Sequence, residues 1–446
     1  MNLIEQVRDA GVVGAGGAGF PTHVKLNAKA EYLIVNAAEC EPLLETDKFL
    51  MRQNADEMIA GVLLAKQQVQ ASKAVVALKA KYKTEIAVLE ESIARLNADV
   101  EIFGMDNYYP AGDEQTMVYD VTGRTVPPAG IPLQVGCVVS NVGTLINVFR
   151  ASQGKSVTRK IITVVGEVKQ PRLIEAPLGM TLAECIEAAG GSKLEDYAVI
   201  RGGPMMGPIL YKDQLAELTV TKADGGLIVL PRDHYLVLRS ERTPQRILKE
   251  TLSACIQCGF CTEQCPRFQI GHDLHPHKMM RVLGRVEEYT QEHQEALLCC
   301  ACGICELTAC PMDISPRQVN LIIADELRKK GIRYQAPETD KPITGREGRD
   351  FKKIPPERLI ARIGLSPYYH QKLADYLPLY SQSVEISLSQ HIGAPCQAVV
   401  AVGDQVTEGQ MIGQVPAEKL GAPVHASISG RVTAIENGAV RISAEA

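Results

Sequence analysis

Short apolar runs alternate with longer amphipathic stretches over the first third of the chain. The apolar runs predict buried strands over 32–37, 73–80 and 99–105. The amphipathic stretches carry apolar residues at helical spacing and predict helices over 2–10, 45–70 and 82–96. Strands that alternate with helices are typical of a parallel sheet, so we expect an α/β domain over residues 1–155.

The pattern of apolar positions changes several times after this domain. Residues 156–238 contain short strand-like runs around one short helical stretch and predict a small β-rich domain. Residues 239–335 are helical and carry most of the cysteines, whereas 336–380 are rich in proline, lysine and arginine and predict a linker with short helices. Short strands separated by glycine turns fill 381–446 and predict a small all-β barrel or sandwich.

Composition places the chain among globular proteins. It has 446 residues, too many for a single core, and 46% of them are hydrophobic and 22% charged. The net charge of -5 predicts no general affinity for nucleic acid, and no apolar run approaches the ~20 residues that span a bilayer. The first residues include acids and only a short apolar face, unlike a secretory signal. We therefore expect a cytoplasmic protein without a membrane span.

Thirteen cysteines are the exceptional feature of the composition, and nine of them fall between Cys255 and Cys310. In a long chain of expected cytoplasmic location, clustered thiols indicate metal binding rather than disulfides. The run CIQCGFCTEQCP has the spacing C-x2-C-x2-C-x3-C-P of bacterial ferredoxins, which bind [4Fe–4S] clusters. The run CCACGICELTACP repeats the triplet, with a four-residue gap before its last cysteine and with Cys300 left over.

Two [4Fe–4S] clusters explain these spacings better than zinc does, because zinc sites usually take their four ligands in pairs. Ferredoxin-type cross-ligation assigns the fourth cysteine of each run to the cluster of the other run. The predicted ligands of one cluster are Cys255, Cys258, Cys261 and Cys310. The predicted ligands of the other are Cys299, Cys302, Cys305 and Cys265. Such clusters carry single electrons and perform no substrate chemistry alone, so we expect a further cofactor.

The segment GAGGAG at 14–19 satisfies the dinucleotide fingerprint G-x-G-x-x-G. A Rossmann site needs a strand before this loop and a helix opening inside it. Here a helix is predicted before the loop, and Phe20 and Pro21 after it break the expected helix start. Glu39 and Glu41 stand at the end of a predicted strand, where a Rossmann acid would stand. The residues alone leave open a dinucleotide loop, a structural turn and another kind of phosphate loop.

The segments GAGGAGFPTHVK and VNAAECEP together resemble the flavin-binding start of the NADH-oxidising subunit of respiratory complex I and, more closely, the RnfC family. The segments YPAGDEQTMVYDVTGRTVP, VSNVGTLINV and GGPMMG also resemble that family, in the same order. The C-terminal domain resembles the barrel-sandwich module that RnfC proteins carry at the N-terminus. Its place at the C-terminus resembles the arrangement in the propanediol-utilization cobalamin reductases.

This resemblance implies a multidomain α/β protein. Its expected parts are a Rossmann-like FMN-binding domain, a β-grasp (SLBB-like) domain, an α-helical ferredoxin-like dicluster domain and a C-terminal all-β barrel-sandwich hybrid. The resemblance implies fourteen cofactor-binding residues and no catalytic side chain. The fourteen are Gly14, Gly16, Gly17, Gly19, Phe20, Lys25, Asn36, Glu39, Gly112, Asp113, Glu114, Ser140, Asn141 and Thr144. Lys25 is expected to meet the FMN phosphate, and Phe20 is expected where the nicotinamide stacks.

The resemblance further implies an enzyme that passes electrons from NADH through FMN and two [4Fe–4S] clusters to the cobalt of cobalamin, reactivating it for diol dehydratase. Complex I relatives have an acid at Ala38 and a glutamate at Asp113, so FMN binding is better supported than NADH binding. Expected partners are the corrinoid, a microcompartment shell protein and an adenosyltransferase, within or at a bacterial microcompartment. The corrinoid motif D-x-H-x-x-G is incomplete, because Lys278 stands at its glycine position. The alternative is an RnfC-like relay subunit of a larger complex, or a redox module associated with a microcompartment shell.

Overall fold

The computed structural model describes residues 2–337 and 343–444. The predicted first domain, linker and last domain therefore each include a few positions outside the described residues, namely Met1, 338–342 and 445–446. Within the described part, no helix is both long enough and apolar enough to cross a membrane.

A four-stranded parallel sheet forms the core of the N-terminal part. Its strands are β1 (Tyr32–Asn36), β2 (Lys73–Lys79), β3 (Glu101–Met105) and β4 (Cys137–Asn141). The helices of this part are α1 (Leu3–Asp9), α2 (Thr22–Leu26), α3 (Thr46–Gln53), α4 (Ala55–Gln68), α5 (Lys83–Arg95), α6 (Glu114–Thr122) and α7 (Val142–Ser152). Leu33 and Val35 of β1 face one apolar core and Ile34 faces another, so both faces of the sheet are covered.

The strand order β3-β2-β1-β4 creates a switch point in this sheet. After β1 the chain adds β2 and β3 on one side, and then returns to place β4 on the other side of β1. Loops from the carboxyl ends of β1 and β4 therefore diverge and leave a crevice between them. The predicted Rossmann-like parallel sheet is confirmed.

Two local predictions for the N-terminal part are wrong. The helix predicted over 45–70 is two helices, because Asn54 leaves the helical conformation between α3 and α4 (φ -125°, ψ 31°). A short helix, α2, also follows the glycine loop, where Phe20 and Pro21 were expected to prevent one. Pro21 instead precedes the first helical residue with a φ of -58°, which suits a helix start.

The second part is a six-stranded mixed sheet with the order β10-β6-β5-β9-β7-β8. Its elements are β5 (Arg159–Gly166), β6 (Arg172–Pro177), α8 (Leu182–Ala188), β7 (Tyr197–Arg201), β8 (Ile209–Tyr211), β9 (Gly226–Pro231) and β10 (Ala374–Pro378). Strand β10 corrects the prediction that its segment is only linker. It pairs in parallel with β6, whose outer edge would otherwise expose unpaired backbone groups.

Helices predominate in the third part and short strands in the fourth. The third part contains α9 (Tyr235–Ser240), α10 (Pro244–Ala254), α11 (Phe260–Glu263), α12 (Pro266–Gln269), α13 (Pro276–Val282), α14 (Ile304–Leu307) and α15 (Pro316–Lys329), and α16 (Pro356–Arg362) follows it. The fourth part contains β11 (Ser383–Ser387), β12 (Gln397–Ala398), β13 (Gln405–Val406), β14 (Met411–Gln414), β15 (Val424–His425), β16 (Gly430–Glu436) and β17 (Ala439–Ser443). These strands form two sheets, β11-β17-β16-β13 and β12-β14-β15, around a single apolar core.

A buried lysine connects the barrel to the N-terminal part. Lys222 lies between β8 and β9, and its Nζ donates to the carbonyl oxygens of Gly11 at 2.7 Å and Pro423 at 2.8 Å. Close by, the backbone N–H of Ile392 donates to the carbonyl of Gly19 at 3.3 Å. The C-terminal barrel therefore packs directly against the glycine loop.

Replacing Lys222 with methionine is expected to lower stability and to reduce its dependence on pH. Two buried carbonyls lose their donor, which costs about 1–3 kcal/mol. Burial also lowers the pKa of Lys222 to about 7. A lysine in the unfolded chain has a higher pKa. At pH values between the two pKa values, Lys222 therefore carries a proton in the unfolded state but not in the folded state, and the unfolding free energy rises with pH.

Melting temperatures at pH 7 and pH 8.5 measure this effect. We expect the wild type to gain more stability over the interval than the methionine variant, so that the gap between them widens. The pKa of His425, packed beside Lys222, is lowered to about 4 by burial, so this histidine does not titrate in the interval. An equal change of melting temperature in the two proteins would contradict the lowered pKa of Lys222.

Candidate cofactor sites

A cavity of about 330 Å³ opens at the switch point, beside the carboxyl ends of β1 and β4. Open α/β sheets bind their ligands at such crevices. Twelve of the fourteen predicted cofactor-binding residues line this cavity. They are Gly14, Gly16, Gly17, Gly19, Phe20, Lys25, Asn36, Gly112, Glu114, Ser140, Asn141 and Thr144. The fold thus brings together the glycine loop and three other segments that are distant in sequence.

Asn141 shapes one wall of this cavity, at the end of β4. Its Oδ1 accepts a hydrogen bond from the Gly143 N–H at 2.9 Å and caps α7, while its Nδ2 donates to Asp47 Oδ2 at 2.7 Å. The N-terminus of α7 therefore faces the cavity with backbone N–H groups and a partial positive charge. A Cβ at Gly16 would lie 2.6 Å from Asn141 Nδ2, so glycine is what lets the loop approach this cap.

Lys25 supplies a cation at the same cavity. Its Nζ donates to Glu114 Oε1 at 3.0 Å and to the Val139 carbonyl at 2.8 Å, so the ammonium is held in place from two sides. On β1, Asn36 Nδ2 donates to the Gly112 carbonyl at 2.8 Å and fixes the facing loop. A helix N-terminus and a lysine suit a phosphate, and bare glycine backbone suits the flat face of a flavin. The residues present fit FMN.

Glu39 and Asp113 are the two predicted cofactor-binding residues that do not line this cavity. Glu39 Oε2 accepts a hydrogen bond from the Asp47 N–H at 2.8 Å, and its carboxyl lines a neighbouring cavity of about 430 Å³. Burial, together with the nearby Asp47 carboxylate, raises the pKa of Glu39. Asp113 caps α6 through the Thr116 N–H and forms an ion pair with Arg267 at 2.8 Å. Both carboxyls therefore support the crevice from outside it.

The nine cysteines of the two runs come together in a group of four and a group of five. Cys255, Cys258, Cys261 and Cys310 line one small cavity, which we call the first quartet. In the other group, Cys265 lies within electrostatic reach of Cys299, and Cys305 lies within reach of both. Cys302 is close to Cys265 and Cys305 and completes this second quartet. Each quartet thus takes three cysteines from one run and one from the other. Cys300 lies in the same group as the second quartet, beside Cys302 and Cys265, and it is the sequence spacing that leaves it out of the predicted ligands.

The two cysteine loops have the same backbone conformation. Gln257 and Ala301 precede the middle cysteine of each triplet with φ of 55° and 58°. Gly259 and Gly303 follow that cysteine with φ of 82° and 80°. These left-handed positions turn each loop sharply, so that its three thiols point to one side. The loops are therefore a structural repeat, as their spacing predicts.

The donor set fits iron–sulfur cubes better than single ions. Over residues 2–337 and 343–444, no three His, Cys, Asp or Glu side chains converge closely enough to hold one metal ion. A [4Fe–4S] cube binds each thiolate at a different iron and keeps the sulfurs apart, unlike a tetrahedral zinc site. Burial raises the pKa of the Cys299 thiol to about 11, and the positive charges of Arg317 and Arg267 nearby oppose that rise.

Contacts of three side chains join the N-terminal part to the second quartet and to the GGPMMG loop. Arg267 follows Cys265 by two positions and forms an ion pair with Asp113. Asp113 in turn follows Gly112, which lines the flavin cavity. The hydroxyl of Tyr109 donates to the Cys302 carbonyl at 2.9 Å. Sequence reasoning missed both Arg267 and Tyr109, because no local spacing marks them.

Glu41 is the third of these side chains. Its Oε2 accepts a hydrogen bond from the Met205 N–H at 3.0 Å, and its Oε1 lies 3.4 Å from the Tyr109 hydroxyl. Burial raises the pKa of Glu41 to about 7. The sequence marked this residue only as an acid at a strand end, and the structure places it between the N-terminal sheet, the GGPMMG loop and the second quartet.

Four family models match successive parts of the chain. The Nuo51 FMN-binding domain matches residues 7–150 and the SLBB domain matches 161–209. A 4Fe-4S dicluster domain matches 254–315, and the RnfC barrel sandwich hybrid domain matches 362–446. The predicted fold class and the predicted cofactor types, FMN and [4Fe–4S], are confirmed by these matches.

Two curated relatives match almost the whole chain. The protein named cobalamin reductase PduS from Salmonella typhimurium strain LT2 is 43% identical over 98% of this chain and 95% of its own length. The protein of the same name from Citrobacter freundii is 41% identical over the same shares. Among solved structures, a chain of an NAD+-reducing [NiFe]-hydrogenase in the H2-reduced state has a TM-score of 0.51 at 24% identity. That alignment covers 75% of this chain and 63% of the hydrogenase chain, and it shows a shared fold.

Proposed function

The chain belongs to the family of the cobalamin reductase PduS, and we propose that it passes electrons from NADH through FMN and two [4Fe–4S] clusters to the cobalt of cobalamin. One NADH supplies two electrons and releases NAD+ and one proton. Two aquacob(III)alamin molecules each take one electron, become cob(II)alamin and release their axial water. A second reduction to cob(I)alamin takes one more electron per cobalt.

The continuous series of contacts from the flavin crevice to the cysteine quartets carries this proposal. The twelve lining residues would hold FMN, which accepts two electrons together and releases them singly. The Asp113–Arg267 ion pair and the Tyr109–Cys302 hydrogen bond hold the second quartet against the crevice. The eight cysteines of the two quartets would hold the clusters.

The charges around the second quartet favour its role as an electron carrier. Arg267 and Arg317 are each largely buried, with 10% and 18% of the side chain exposed. Buried positive charge beside a cluster stabilises the extra electron of its reduced form, because Coulomb interactions are strong where water is excluded. Each guanidinium is also ion-paired, Arg267 with Asp113 and Arg317 with the buried Glu306, so the two positive charges are partly balanced.

Anaerobic turnover tests the proposal. The full chain, reconstituted with iron, sulfide and FMN, is expected to oxidise NADH while cob(III)alamin is converted to cob(II)alamin at two cobalts per NADH. Optical spectra follow both reactions, and protein reconstituted without iron is the control. Oxidation of NADH by dyes alone, with cobalamin unchanged, would instead support the RnfC-like relay function, which the barrel-sandwich match favours.

We further propose a location at a propanediol-utilization microcompartment, because the relatives carry the PduS name. A shell protein and an adenosyltransferase are the proposed partners, since reduced cobalt must be alkylated before it is oxidised again. Co-purification of the tagged chain with shell proteins from cells that build microcompartments tests this location.

A further inference from the structure

The two quartets differ in what covers them. The second quartet lies against the N-terminal part through the Tyr109 and Arg267 contacts. Among the thirteen cysteines, Cys258 of the first quartet is the exposed one. The first quartet therefore lies farther along the series of contacts from the flavin crevice and meets solvent. An electron that crosses both clusters would reach the surface at Cys258.

Exposed apolar side chains surround this point. Ile256 is 62% exposed, Phe260 53% and Met312 43%, and we call these three residues the apolar rim. Ile256 and Met312 line the cavity of the first quartet, and Phe260 is the first residue of α11, between Cys258 and Cys261. Apolar residues grouped on a surface mark a binding site more often than single ones do.

We propose that the apolar rim is where the corrinoid docks to receive its electron from the first quartet. This inference rests on the proposed function. It specifies where on the protein surface cob(III)alamin takes up one electron and becomes cob(II)alamin, with loss of its axial water. The macrocycle would lie on Ile256, Phe260 and Met312, with its cobalt towards Cys258.

The absence of charge favours a corrinoid over a redox protein at this rim. No Lys, Arg, Asp or Glu lines the cavity of the first quartet in the described part of the chain, whereas redox proteins usually dock through complementary charges. The corrin face is apolar and its peripheral groups are uncharged amides.

The double variant Ile256→Ser, Phe260→Ser tests this docking site, with Val402→Ser as the matched control. Val402 is as exposed as Ile256, at 62%, but lies in the barrel. We expect the double variant to raise the KM for cobalamin about tenfold, because the apolar contact is lost. The control variant is expected to keep the wild-type KM. Iron and FMN contents equal to those of the wild type show that the double variant is folded and loaded.

A binding measurement on the wild type does not depend on turnover. Hydrogen–deuterium exchange of the reconstituted protein, with cob(II)alamin and without NADH, is expected to slow at 256–263 and 310–314. An unchanged KM in the double variant, or protection only at the neighbouring cavity lined by Met205 and Met206, overturns the docking site. Failure of the wild type to reduce cobalamin at all overturns the proposed function instead, so the two failures are distinguishable.

Discussion

Alanine at Cys310 and alanine at Cys265 are each expected to remove one cluster, and not the same one. The structure groups Cys310 with the first quartet and Cys265 with the second, although each belongs to the other run in sequence. Each variant should therefore keep about four of the eight iron atoms. Cobalamin reduction should fall at least roughly a hundredfold in both, because the path between flavin and acceptor is interrupted.

Iron analysis and electron paramagnetic resonance of the reduced proteins distinguish the two losses. The Cys310→Ala spectrum should lack the signal of the exposed first quartet, and the Cys265→Ala spectrum should lack that of the second. Oxidation of NADH by ferricyanide reports on the flavin and should continue in the Cys310→Ala variant. Cys300→Ala is the control, since the C-x2-C-x2-C spacing leaves Cys300 outside both predicted ligand sets and its loss should leave about eight irons. Identical residual spectra in the two variants would refute the grouping in which each quartet takes its fourth cysteine from the other run.

Valine at Gly16 is expected to lower the affinity for FMN by at least about tenfold, or 1.4 kcal/mol. A Cβ at this position would lie 2.6 Å from Asn141 Nδ2 and 2.9 Å from its Cγ. Asn141 cannot move without releasing the N-cap of α7 and the hydrogen bond to Asp47. The substitution therefore moves the loop away from the helix N-terminus that faces the cavity, or moves the cap itself, and either change weakens the phosphate site.

Bound flavin after gel filtration, read from its absorbance, measures this effect. Gly225→Ala is the matched control, because its Cβ would lie 3.6 Å from Leu44 Cδ1, at ordinary contact distance and away from the crevice. The control should retain flavin. The Gly16→Val protein should keep its iron, since the cysteine loops lie elsewhere. Full flavin retention in Gly16→Val would show that the loop does not approach the cofactor as proposed.

The wrong and missing predictions have a common cause. The break at Asn54 and the pairing of β10 with β6 depend on what each segment packs against, and the local pattern of apolar residues does not contain that information. Lys222 lies in an ordinary turn sequence, yet it donates to carbonyls more than 200 residues away on both sides. Arg267 and Tyr109 were missed for the same reason.

The sequence by itself determined the ligand motifs whose residues lie within a few positions of one another. The C-x2-C-x2-C triplets and their glycines dictate two matching loops, because a short turn with left-handed positions can point its thiols in only one direction. Alternating apolar runs determined the parallel sheet in the same local way. The glycine loop stayed ambiguous, because its meaning depends on which strand ends lie beside it.

Only the tertiary structure decided the relations between these local units. The strand order placed the glycine loop at the crevice between β1 and β4, and left Glu39 and Asp113 outside it. Packing of the helical part against the N-terminal part covered the second quartet and left Cys258 exposed. Such relations arise because the apolar faces of separate elements are buried against one another. Which faces meet depends on segments from the whole chain, and no single segment contains that information.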